Sequence, residues 1–288
     1  MADTPKLDPK TERLVRQHAK ALSVYLDMAV ADATQAHLDW RRAARERMER
    51  LHPVNEPPDV SLWLALFTQA AGAVGPFSGA YRQRLAQILE AAQQAGEGDV
   101  VTLLEAHGES ASRPRRATLP VDLLFAQIDA MVVNVVQRSL AESAQSGATW
   151  GQMVASATAQ DGAVARTLSS IVERVHAFVA AAYSGAALDA ISANDDPARP
   201  LFKRIAEVDD IHNHPISRVL DGQVRRADEP FEASAAAVAV EAKVLRRSVG
   251  GIFWPLDGDT YKGHRLPAHR HERGIIHAWR SSWTTQEK

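Results

Sequence analysis

Apolar positions recur at three-to-four spacing from Arg13 to Arg50, through Leu14, Leu22, Tyr25, Leu26, Met28 and the pair His37–Leu38, with no glycine or proline between them. This period predicts one long helix whose apolar stripe faces a core. "HPVNEPPD" at 52–59 ends it, and Asp59 or Ser61 is placed to cap a second helix carrying Leu62, Trp63, Leu66 and Phe67. "GPFSG" at 75–79 and "GEG" at 96–98 punctuate further helices. "HGESASRPRRATLP" at 107–120 is a polar connector holding Arg113, Arg115 and Arg116, where flexibility is expected. Helices follow from about Val121 to Glu142 and from about Gly162 to Ile191. In the second, alanine-rich "HAFVAAAYSGAALDAI" at 176–191 has the small residues that let helices approach closely, although Gly185 costs about 1 kcal/mol of propensity.

After "SANDDPARP" at 192–200 the period changes. Short β-type runs appear at 202–208, 222–224, 251–255 and 274–279, separated by a helical, alanine-rich stretch at 231–248. The chain therefore reads as α+β, with a mostly helical part at 1–195 and a small C-terminal α+β domain with a short β-sheet at 196–288.

Composition narrows the chemistry. The 288 residues are 45% apolar, enough for a substantial core, and the formal charge of −2 gives no global pull toward nucleic acid or anionic lipid. Without cysteine there can be no disulfide, thiolate zinc site, iron–sulfur cluster or cysteine nucleophile. The first residues lack the apolar core of a secretory signal, and no run of about eighteen apolar residues predicts a membrane span. Phosphate-loop, dinucleotide, nucleophile-elbow and H-E-x-x-H motifs are all missing, which disfavours the common enzyme classes.

Two features still bear on chemistry. Six of the eleven histidines, His212, His214, His264, His269, His271 and His277, lie beyond residue 211. On strands, His212 and His214 would share one face, as would His269 and His271, and with Glu272 or Asp210 they would suit a borderline divalent ion. The bland alternative is surface or turn histidines bonded to carboxylates. The adjacent His212-Asn213-His214 is not a nuclease signature, since that centre spreads its residues over a strand, a loop and a helix. Arginines at 41–50 and in the connector could neutralise phosphates, against which stands a solvated helix face with internal Glu–Arg pairs.

Two separated segments resemble one family. "HPISRVLDGQVRRADEPF", from His214 to Phe231, is similar to the core of the phage Mu F-like minor head proteins, also called head morphogenesis proteins. His214 and Ser217 stand at the family's first two cysteine positions, and Leu220, Asp221 and Gly222 keep the turn that follows. "LPAHRHERGIIHAW" fits the family's closing segment, with Pro267, His269 and Arg273 kept, Glu272 at the third cysteine position and Trp279 ending a strand. "AAAYSGAALDAI" at 180–191 resembles the helix that precedes the first strand, although Ala177, Phe178 and Ala181 replace its usual polar residues.

The resemblance implies a structural minor head protein of a tailed phage, made in the host cytoplasm and carried in the virion head near the portal. Its implied partners are the portal protein, the major capsid or scaffold proteins, and DNA. Neither catalytic residues nor a cofactor is implied. Serine is a poor zinc ligand, so instead of the family's metal knuckle a hydrogen-bonded cluster is expected, with His214 near His269 and Glu272. The competing reading is a metal-dependent nuclease or hydrolase centred on His212, His214, His269, His271 and Glu272. A toxin-like effector is a third reading, disfavoured because the helical half lacks catalytic motifs.

Overall fold

The computed structural model describes residues 6–57, 79–116, 118–207, 214–244, 261–266 and 274–285. Helix α1 spans Pro9–Glu49, α2 Gly79–Ala106, α3 Val121–Gln145, α4 Trp150–Thr158 and α5 Ala163–Ala193. Then come β1 (Phe202–Ala206), α6 (Pro215–Leu220), β2 (Val224–Arg226), β3 (Phe231–Ala233), α7 (Ala235–Val244), β4 (Tyr261–Gly263), β5 (Ile275–Trp279) and a 3-10 turn at Ser281–Trp283. This is the α+β class expected, with helices followed by a short antiparallel sheet. The second predicted helix, at 59–67, and the strand at 251–255 lie outside the described residues.

The chain forms two compact units. One comprises residues 28–87 and 120–175 and is helical among its described residues; the other comprises 1–27, 88–119 and 176–288 and contains the sheets. The boundary drawn from sequence at 195/196 falls inside the second of these.

In the helical unit α1 buries Ala29, Ala33, Trp40, Ala44 and Met48, whereas Met28 and Leu38, expected on the core stripe, are 51% and 39% exposed. The true stripe is built largely of alanines, which periodicity of large apolar residues does not reveal. Helix α3 supplies Leu124, Phe125, Ile128, Val132, Val136 and Leu140. Helix α4, which the sequence pattern did not predict, starts at a capping box: Thr149 accepts from the Gln152 backbone while Gln152 accepts from the Thr149 backbone. Its Trp150 is fully buried and donates its indole N–H to the Met48 carbonyl at 2.6 Å. Arg82 ties α2 to α3, bonding Asp129 at 2.9 Å while lying 4.7 Å from the Phe125 ring centre. His37 is held by the Val164 carbonyl at 2.9 Å, and burial keeps it below the usual histidine range.

In the other unit β1 is the middle strand of an antiparallel sheet ordered β2-β1-β5, and β3 pairs with β4. Phe202 faces Arg226 on one side and Trp279 on the other. A central strand is covered on both faces, and all five residues of β5 are buried as well. The buried core of this unit includes Leu22 and Leu26 of α1, Leu103 and Leu104 of α2, and Tyr183, Ala187 and Ile191 of α5. The segments around Leu7 and Trp283 meet: Leu7 bridges Thr284, the Asp8 N–H donates to the Trp283 carbonyl at 3.0 Å, and His107 stacks on Trp283 at 4.3 Å.

Two expectations are corrected here. Gly96 and Gly98 do not break a helix; both lie inside α2. Gly96 is where α2 passes α5, for a Cβ there would collide with the Tyr183 carbonyl and crowd the Ala187 nitrogen. The close approach expected of the alanine-rich stretch is realised at this crossing. The connector is also more anchored than its composition implies. Arg113 and Arg116 bond the buried Glu97 at 3.2 and 2.8 Å, and Asn194 exchanges hydrogen bonds with the Ser112 backbone at 2.6 and 2.8 Å.

By length and composition, two helical stretches among the described residues, Val121–Gln145 and Trp150–Ala193, reach a mean hydropathy of 1.2. The apolar window of the second is 72% buried within the fold and that of the first 33%.

Candidate functional site

Helix α6 begins at His214, whose extended backbone and Nδ1, accepting from the Ile216 N–H at 3.2 Å, cap the turn ahead of Pro215. Proline at the first helical position lacks an N–H that would have no partner there. Ile216, Ser217 and Leu220 are buried on the inner face of the helix. The helix stops at Asp221, whose N–H donates to the Ser217 carbonyl at 2.8 Å, and Gly222 turns the chain with φ of 73°.

That turn is stitched to the sheet. The Gly222 N–H donates to the Ile205 carbonyl at 2.9 Å, the Ile205 N–H to Gln223 at 3.2 Å, and Asp221 Oδ1 accepts the Glu207 N–H at 3.0 Å. The Gln223 amide extends the connection, donating to the carbonyls of Val219 and Glu232 at 2.9 and 2.7 Å and accepting from the Glu232 N–H at 3.2 Å. Arg218 pairs with Glu241 at 3.2 Å, joining α6 to α7. Leu220, Asp221 and Gly222 thus sit at the node of β1, β2, β3 and α6. Gln223 was not singled out in the sequence, since a glutamine pairing with a neighbouring strand carries no local signal.

The other half of the expected site, Pro267, His269, His271, Glu272 and Arg273, lies outside the described residues, as do Asp210 and His212. The expected approach of His214 to His269 and Glu272 falls there too. Among the described residues no group of three or more histidine, aspartate or glutamate side chains could hold a metal ion. The remaining two clustered histidines do separate things. His264 offers its carbonyl to Lys203 Nζ at 3.3 Å, and His277 is buried in β5.

A second polar cluster was not anticipated. His18 on α1 places Nε2 3.3 Å from Asp99 Oδ1 on α2, and the Tyr183 hydroxyl on α5 donates to Asp99 Oδ2. His277 donates Nδ1–H to the Ala278 carbonyl at 2.8 Å. Among the described residues, His18 Nδ1 and His277 Nε2 are buried without a hydrogen-bond partner. Burial pushes Asp99 up to about 6, against the Tyr183 hydrogen bond, and pushes His18 down to about 4. His277 falls to about 3, chiefly by burial, with Arg204 and His18 adding to the effect and the Ala278 bond opposing it. At neutral pH the His18 and His277 imidazoles are therefore neutral and Asp99 is a carboxylate. The cluster's members lie far apart in sequence, and the only local hint is a histidine at position 18 on the apolar face of α1.

No family model matches the chain, and neither a curated protein nor a solved structure matches it.

Proposed function

We propose that the chain is a structural minor head protein of a tailed phage, located in the virion head near the portal and acting in head morphogenesis or in genome packaging and ejection. The observation that carries this reading is how the Leu220-Asp221-Gly222 segment is used. Asp221 and Gly222 bond the backbone of β1, and Gln223 bonds β3, so the residues of the family-like motif are spent on holding strands together. A motif used in this way needs neither metal nor substrate. The lack of cysteine at the knuckle positions, with His214 capping α6 through Nδ1, fits the same reading.

On this reading the partners are the portal protein and the major capsid or scaffold proteins, with phage DNA a further contact, and the protein is in the host cytoplasm until assembly. Co-expression with the portal protein of the same genome tests it. A complex that co-elutes on size exclusion supports the reading. Separate elution, together with divalent-ion-dependent cleavage of plasmid DNA that His214→Ala abolishes, would replace it with the hydrolase reading.

A further inference from the structure

We propose that His18, Asp99 and Tyr183, with the buried His277 of β5, form a proton-sensitive latch that holds α1, α2 and α5 of the sheet-containing unit together at neutral pH and loosens them on acidification. The geometry supplies the parts. Asp99 joins three helices through His18 Nε2 at 3.3 Å and the Tyr183 hydroxyl, while on β5 the buried His277 would feel a charge on His18 as a repulsion. With Nε2 turned to Asp99 and Nδ1–H given to Ala278, each imidazole keeps one buried nitrogen with no partner among the described residues. Those two lone pairs are where protons would arrive, and among the described residues neither has an acceptor waiting for the N–H that would form.

The surrounding charges do not supply one. Burial, with Asp99 beside it, holds the Tyr183 phenol on α5 well above its ordinary range, and Arg204 on β1 opposes a charge on His277. Glu97 on α2 is engaged by Arg113 and Arg116. Lys203 neighbours Arg204 on β1, so it points to the other face of the strand.

The direction follows from counting protons. In the unfolded chain two histidines take up protons near 6.5 and Asp99 near 3.8; in the fold only Asp99 does so above about 4, at about 6. Between about pH 6 and about 4 the fold thus holds one proton fewer, and its equilibrium constant falls roughly tenfold per pH unit.

The test compares the full chain with His277→Phe by denaturant unfolding from pH 7 to pH 4. The wild type is expected to lose ground to the variant by close to tenfold per unit; parallel curves would overturn the proposal. If the variant does not fold, histidine NMR titration of the wild type decides. Two imidazoles that stay neutral at pH 5, with amide protection of α1, α2 and α5 falling as the pH drops, support the latch. Titration of every histidine near 6.5, or protection unchanged to pH 4, refutes it.

Discussion

The Asp221 carboxylate accepts the backbone N–H of Glu207 at 3.0 Å, so the residue after helix α6 closes the end of strand β1. The next residue, Gly222, donates to Ile205 from a left-handed backbone that a side chain rarely adopts. Asp221→Ala should cost about 1 kcal/mol by loss of the hydrogen bond, and Gly222→Ala about 1–2 kcal/mol by backbone strain. Asp221→Asn, which keeps an acceptor, should stay within half of the alanine loss. Urea unfolding monitored by tryptophan fluorescence measures all three.

Gly96 and Gly98 make an internally controlled pair. Both lie within α2, but only Gly96 faces α5; around Gly98 a Cβ meets nothing within 4 Å. Gly98→Ala should therefore stabilise by about 0.5–1 kcal/mol through helix propensity. Gly96→Ala should destabilise by about 2–3 kcal/mol, because the Tyr183 carbonyl cannot move without shifting α5. Opposite signs in thermal unfolding are the expected outcome.

The Arg280 and Glu109 side chains are 9% and 8% exposed; Arg280 Nε–H donates to both carboxylate oxygens at 3.0 and 3.1 Å, and Nη2–H to Oε2 at 2.9 Å. Arg199 adds a further contact to Glu109 at 3.3 Å. Arg280→Met leaves the buried Glu109 carboxylate with Arg199 alone, so it should cost about 1–3 kcal/mol, less than a wholly unpaired buried charge. Combining it with Glu109→Leu should recover most of that loss, which a double-mutant cycle reads directly.

Lys203 is fully buried, with Nζ donating to the Ala227 and His264 carbonyls at 3.1 and 3.3 Å and lying 4.7 Å from the Phe231 ring centre. Burial pulls it down from 10.5 to about 8, the nearby Asp228 and Glu229 opposing. Between those values the unfolded chain binds the extra proton, so stability should rise from pH 8 toward 10.5, by on the order of 3 kcal/mol in all. Lys203→Met should remove that rise in unfolding experiments at pH 8, 9 and 10.

Much of the helical layout was legible because large apolar residues recur on one face, as in α3, or because proline and glycine end the pattern, as after α1. Helix α2 was misread for a physical reason: a glycine that makes room for a neighbouring helix looks the same in sequence as one that ends a helix. Strands β1 and β5 stood out as short buried runs, whereas β3 and β4 are three residues each and owe their form to pairing with each other. Of the candidate site, the Asp-Gly turn was legible from its residue types. The Gln223 bridge and the His18–Asp99–Tyr183 chain were not, since each depends on groups brought together from distant segments.

The most direct test of the proposed head role is quantitative mass spectrometry of purified virions produced from the genome that carries this chain's gene. The account predicts that the chain is present in intact heads at a copy number far below that of the major capsid protein and comparable to that of the portal. Its absence from heads in which the portal is readily detected would contradict it.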